Sequence, residues 1–280
     1  MKIDAHQHFW IFNEEEYDWI EETDQVLRRD FLPNNLLSIL KSNGIDKSIA
    51  VQARQSKVET DWLLSLAAED NIIAGVVGWI DLKAKDIEEQ LHQYHNNSIL
   101  KGFRHVLQGE EDPNFMLDSA FINGLKCLSV NDYSYDLLIL AKQLPQTLAL
   151  VEQLPNLRLV VDHIAKPDIK NSKDFSEWAK GMRLLSQFEN VYCKVSGMVT
   201  EADVKNWKAQ DFTPFLNTVF NTFGPDRIMF GSDWPVCLLG GSYNDIKQIV
   251  ADYVDVNFPS YQDKIFGDNA ATFYKVSYIN

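Results

Sequence analysis

The chain of 280 residues is expected to fold as an α/β protein, a single (β/α)8 barrel over residues 1–280. Three observations predict it. Eight short, β-branched apolar segments recur along the sequence, stretches of helical period fall between most of them, and no Pro/Gly/Ser-rich linker or shift of composition divides the chain.

The candidate strands cover 2–5, 48–52, 73–80, 100–106, 134–139, 157–164, 191–196 and 227–232. Runs such as Leu157-Arg158-Leu159-Val160-Val161 are closer to continuous than to alternating, as a parallel strand buried on both faces requires. Between strands, 60–69 carries Trp62, Leu63, Leu66 and Ala67, and 86–94 carries Ile87, Leu91 and Tyr94, both near an i, i+3/i+4, i+7 spacing. Stretches 145–154, 175–188, 212–223 and 243–256 continue the alternation. Eight such units in this length point to a closed barrel more than to an open doubly wound sheet.

Composition bounds the partners. Against 40 Asp and Glu stand 26 Lys and Arg, a formal charge of -14 that repels phosphate backbones and anionic lipid, so neither nucleic acid nor membrane is an expected partner. Cys127, Cys193 and Cys237 show no CxxC spacing, which argues against a disulfide framework or a cysteine-rich zinc site and fits a cytoplasmic location. No stretch approaches the roughly 20 apolar residues of a membrane span. Neither a GxGxxG loop nor a P-loop is present, which argues against a dehydrogenase or kinase. Helices rich in Trp and Phe leave a homodimer open.

A barrel places its chemistry at the C-terminal ends of its strands. His6 and His8 follow the first strand, Gln52 the second, Trp79 the third, Arg104 and His105 the fourth, His163 the sixth, Lys194 and Ser196 the seventh and Asp233 the eighth. His6 and His8, two residues apart, point to one face of an extended backbone and can converge on a metal ion or a carbonyl oxygen; the alternative is hydrogen bonding to loop backbone. Asp233, in IMFGSDWP, can bind a metal or act as general base toward water, or simply cap a turn. His163 ends LVVDHI, and strand alternation turns its neighbour Asp162 the other way. Arg104 suits a carboxylate or hydroxyl-rich ligand, or an ordinary salt bridge at the rim. Trp10, Trp79 and Trp234 flank these positions and suit a sugar-like ligand, though core packing is the commoner role. The mouth reads as a locally cationic pocket around one aspartate.

The strings MKIDAHQHFW, VQARQSKVETDWLL, GVVGWIDL, LKGFRHVLQ, VVDHIAKP, VYCKVSGM and MFGSDWPV resemble the amidohydrolase superfamily, and within it the amidohydrolase 2 group of lactonases. That group includes L-fuconolactonase-like, L-rhamnonolactonase-like and 2-pyrone-4,6-dicarboxylate lactonase enzymes. The resemblance runs from Ile3 to beyond Pro235 and implies a distorted TIM barrel of metal-dependent-hydrolase type that opens a small-molecule ester. By position His6 and His8 match the family's first-strand HxH, His163 its sixth-strand histidine and Asp233 its eighth-strand aspartate. In the pyrone-dicarboxylate relatives the aspartate is the general base and the histidines polarise the lactone carbonyl. The fifth strand, SYDLLIL, lacks a histidine, and LKGFRHV lacks a bridging lysine or glutamate at the family position, so a binuclear centre is not expected.

The resemblance thus implies a sugar-acid lactonase, L-fuconolactone-like, in which Asp233 is the base and His6, His8 and His163, or a metal, polarise the carbonyl. Arg104, His105, Lys194, Trp79, Trp234 and Gln52 would hold the substrate. One divalent ion, zinc first, would sit on His6, His8 and Asp233, because a converging His-His-Asp set with no fixed cationic partner binds an available ion; metal-free catalysis is the other reading. The competing functions are a metal-dependent decarboxylase or hydratase on the same barrel, and a non-catalytic binding barrel.

Overall fold

The computed structural model describes residues 1–277, so 278–280 of the expected domain lie outside the described residues. Eight strands form one parallel sheet in the order of the chain: β1 (Ile3–Gln7), β2 (Lys47–Val51), β3 (Ile73–Gly78), β4 (Leu100–His105), β5 (Ser134–Leu137), β6 (Arg158–Val161), β7 (Val191–Val195) and β8 (Ile228–Phe230). Helices α1 (Pro33–Ser42), α2 (Lys57–Glu69), α3 (Ile87–His92), α4 (Ser119–Val130), α5 (Leu144–Val151), α6 (Phe175–Leu185), α7 (Ala209–Phe223) and α8 (Tyr243–Asn257) follow successive strands, and α9 (Asn269–Phe273) ends the described chain. The barrel expected from the sequence is the fold observed. No helix among the described residues is long and apolar enough to cross a membrane.

The helices form where an apolar stripe meets the sheet. In α7, Phe212, Phe215, Leu216, Val219, Phe220 and Phe223 are buried, a continuous i, i+3, i+4, i+7 face. At the start of α8, Asp245 N donates to Ser242 Oγ (3.2 Å) and Ser242 N to Asp245 Oδ2 (2.8 Å), a reciprocal cap. Helices α1 and α4 have no counterpart in the periodicity. In α4 the stripe is interrupted at Gly124, where any Cβ would lie 2.1 Å from Leu82 O, so close approach has displaced helix propensity.

The eighth strand does not zip onto the first. Instead Asp4 staples the seam: its Oδ1 accepts from Ser232 N (2.8 Å) and His6 N (3.1 Å), and its Oδ2 from the Tyr243 hydroxyl (3.0 Å). Further toward the mouth, Asp233 N donates to His6 O (2.8 Å) and His8 N to Trp234 O (2.7 Å). At the opposite end Asn269 donates to Pro225 O (2.8 Å) and Ile228 O (2.7 Å), satisfying a β8 carbonyl that no strand reaches. Ala270, Ala271, Phe273 and Tyr274 then close the barrel floor against Ile3, Ala5, Ile49, Val51, Val77, Val160 and Met229. Asn269→Ala is expected to cost about 1–3 kcal/mol, the penalty of a buried carbonyl left unpaired; urea unfolding at equilibrium measures it, and an unchanged midpoint would show that water repairs the edge.

Candidate active site

Two side chains reach the centre from the end of β1, His6 within the strand and His8 just past it, two residues apart and so on one face. His6 is fully buried and its Nε2 stands 3.2 Å from His8 Nε2. His8 Nδ1 lies 2.8 Å from Val51 O, which can only accept, so the proton is on Nδ1 and the Nε2 lone pair faces the centre.

After β6 the backbone leaves the extended region. His163, Ile164, Ala165 and Lys166 all hold φ between +46° and +60°, a conformation that costs each non-glycine residue roughly 1–3 kcal/mol. The run is tied down by Trp178 Nε1 donating to Ile164 O (2.8 Å) and Lys166 N to His163 O (2.8 Å). Gly197, at φ +59°, lets the His163 ring pass where a Cβ would meet Nδ1 at 2.5 Å, and that Nδ1 pairs with Ser196 Oγ at 2.9 Å. This turn overrides the alternation expected at Asp162 and His163: both side chains face the barrel interior. The strand expected over 157–164 accordingly stops at Val161.

Asp233, also left-handed at φ +57°, completes the centre. Its Oδ1 lies 3.3 Å from His8 Nε2, 3.8 Å from His6 Nε2 and 3.9 Å from His163 Nε2. Burial works to raise its pKa, yet His163, the hydrogen bond to His8 and the His6 ring hold it well below the usual carboxylate range. Burial pushes His163 down to about 4 against the pull of Asp233 and Asp162. Burial likewise lowers His6, so the centre is an ionised carboxylate facing neutral His6 and His163 rings at neutral pH.

Directly beneath lies a polar layer that the sequence reading did not assemble. Lys194 Nζ contacts Asp136 Oδ2 (2.5 Å), Asp162 Oδ1 (3.0 Å) and His6 Nδ1 (3.0 Å). Arg104 Nη1 donates to Asp162 Oδ2 (3.1 Å) and lies 3.3 Å from His6 Nε2, while its Nη2 donates to Gln52 O. Asp136 also accepts from the Tyr274 hydroxyl (2.8 Å). Two cations and two carboxylates thus balance, which corrects the cationic pocket around a single aspartate. His6 has fixed cationic neighbours in Lys194 and Arg104, so the argument for a metal from their absence fails. The donor spacing takes its place: atoms about 2.0–2.2 Å from one zinc ion stand roughly 3.3–3.6 Å apart, close to the 3.2 Å between His6 and His8 and the 3.3–3.9 Å from Asp233 to His8, His6 and His163. His6, His163 and Asp233 each bring a donor atom within 4.8 Å of the others and fit one ion, so His163 joins the expected His6 and Asp233, while His8, also expected, stands beside them with its Nε2 3.3 Å from Asp233 Oδ1.

A cavity of about 590 Å³ opens above the centre, reaching His8, Arg104, His163 and Asp233 on its floor. Other expected ligand residues do not line it. Lys194 and Gln52 are sealed below, Lys194 held by the contacts just given and Gln52 donating through Nε2 to Arg104 O (3.2 Å). His105, next to the inward Arg104 on β4, turns away and stacks on Phe115 at 4.9 Å, holding Trp79 Nε1 (3.3 Å) and Glu110 Oε1 (2.6 Å). Trp234 packs edge-on to Phe31 at 5.1 Å in the core. The walls come instead from Trp19, Glu15, Glu16 and Asp18 after β1, Arg54 and Gln55 after β2, Gln108 and Lys166. Only a half-exposed aromatic beside a run of acids marked that loop in the sequence, and solvated loops share the signature.

The profile of the family described as Amidohydrolase matches residues 3–276. An L-fucono-1,5-lactonase of Burkholderia multivorans (strain ATCC 17616 / 249) is 38% identical over 98% of this chain and 96% of its own. A second L-fucono-1,5-lactonase, of Burkholderia ambifaria, is 32% identical over the same shares. A crystal structure of an amidohydrolase from Burkholderia multivorans with bound zinc superposes with a TM-score of 0.95 at 38% identity, covering 99% of this chain and 100% of that one.

Proposed function

Because the chain belongs to the amidohydrolase family, we propose that its centre hydrolyses a sugar-acid lactone, of the L-fucono-1,5-lactone type, by attack of water on the ring carbonyl. The observation that carries this reading is the convergence of three imidazoles on the ionised Asp233 at the floor of an open cavity. Asp233 takes a proton from the attacking water, the ring C–O bond breaks, and the same carboxyl returns the proton to the departing alkoxide. His6 and His163, through N–H groups, support the oxygen that gains charge. With a divalent ion held by His6, His8, His163 and Asp233, these imidazoles would be its ligands instead of hydrogen-bond donors, and the ion would supply the polarisation of the carbonyl.

The walls support an uncharged substrate. Each cation facing the cavity already has a carboxylate: Arg54 with Glu16 (2.7 Å), Lys166 with Glu201 (3.5 Å) and Arg104 with Asp162 (3.1 Å). A neutral polyhydroxylated lactone meets these pairs as hydrogen-bonding groups, whereas a dicarboxylate finds Glu15 and Asp18 at the rim and no uncommitted cation among the described residues. A pH-indicator assay over aldonolactones and a pyrone dicarboxylate, with and without chelator, tests this. Acid release from six-carbon, methyl-terminated lactones and none from the dicarboxylate is the expected result; the reverse order would sink the proposal.

The pH dependence follows from His163. Its folded pKa, about 4, lies below the ordinary value, so the ring is neutral above pH 4 and gains a proton only as pH falls through it, pairing with Asp233 and weakening the base. In a pH–rate profile kcat/KM is expected to stay level down to about 5 and drop near 4. An acid limb centred on 6.5 would refute the assignment.

A further inference from the structure

The polar layer beneath the catalytic centre is a metal cage already filled by the protein. His6 Nδ1, Asp136 and Asp162 place donor atoms within 4.8 Å of one another, the spread that one divalent ion can span. At their focus sits Lys194 Nζ, 2.5 Å from Asp136 Oδ2 and 3.0 Å from both Asp162 Oδ1 and His6 Nδ1. All four side chains are fully buried. We propose that the Lys194 ammonium is a built-in cation standing where a second metal ion would sit, that it limits the barrel to a single exchangeable ion at the mouth, and that its removal uncovers a divalent-cation site.

Charge argues for it. Asp136 and Asp162 face two buried cations, Lys194 and Arg104, and Arg104 is tied to Asp162 Oδ2 and Gln52 O on the mouth side. Without Lys194 the cage carries one uncompensated negative charge, a cost that an available cation relieves. Lys194 Nζ reaches Asp136, Asp162 and His6 together, so one ammonium occupies the point on which the three donors converge.

The test uses metal stoichiometry. Wild type and Lys194→Ala are stripped with chelator, dialysed against zinc or cobalt(II), and measured by mass spectrometry of bound metal and by titration calorimetry. Lys194→Ala is expected to take up one equivalent more than wild type and to gain thermal stability on metal addition, and Lys194→Ala/Asp136→Asn to return to the wild-type count. A folded Lys194→Ala with the wild-type stoichiometry, or an extra equivalent that survives Asp136→Asn, overturns the proposal. Should Lys194→Ala not fold without metal, refolding in the presence of zinc decides: recovery of the native circular dichroism with the extra equivalent bound supports the cage, and failure to fold with zinc refutes it.

Discussion

Asp233→Asn is expected to lower kcat on the best lactone by about 10²–10⁴-fold, the range that a positioned general base contributes, with KM changed far less. Asparagine keeps the size of the side chain and can still face the three imidazoles, but it cannot accept the proton of the attacking water. Substrate contacts on the cavity walls are left in place, so the loss falls on the chemical step. Steady-state kinetics on the purified variant, with metal content measured in parallel, make the comparison. Near-wild-type kcat would move the base to another group; an equal loss in a variant that has also lost its metal would assign Asp233 to metal binding alone.

Asp162→Asn is expected to be the most destabilising single change in the barrel interior. The carboxylate accepts from Arg104 (3.1 Å) and faces Lys194 (3.0 Å) and His6 (3.4 Å), all without solvent. Although burial works to raise its pKa, Lys194, His6 and Arg104 hold it well below the ordinary value, so it is ionised and its charge is in use. Removing it leaves two buried cations opposite Asp136 alone. Breaking a buried pair from one side costs about 3–5 kcal/mol, which lowers Tm by roughly 6–15 °C in a chain of this size. Differential scanning calorimetry at neutral pH reads it directly. A shift under about 2 °C would mean that water reaches the layer and screens it.

Sequence patterning foretold the barrel because parallel strands buried on both faces leave short continuous apolar runs, and their alternation with stretches of helical period tells them from buried helices. The centre was legible for the same reason: an apolar run ending in His6, His8, His163 or Asp233 says which end of which strand the polar group occupies. Which way a side chain points was harder. Arg104 and His105 were both expected to hold substrate, yet neighbours on a strand face opposite ways, and only Arg104 reaches the cavity. At Asp162 alternation misled, since the left-handed turn from His163 onward leaves no local signature in DHIAKP. Asp136 stayed hidden in SYDLLIL, where an isolated carboxylate reads as an outward residue; only the register that sets it beside Arg104 reveals it as part of the layer. The cavity walls lie on loops, whose paths depend on contacts far apart in sequence.

The seam between β1 and β8 also orders events in time. Every other neighbouring pair of strands is separated by one βα unit, whereas the Asp4–Ser232 bond joins residues 228 apart and the Tyr243–Asp4 bond residues 239 apart. Closing so long a loop costs more chain entropy than any local pairing, and such contacts form late in folding. His6 and Asp233 sit on opposite banks of that seam. A chain that has collapsed and paired seven strands thus has nearly all of its core and none of its chemistry, and catalytic competence arrives as the closing act of folding.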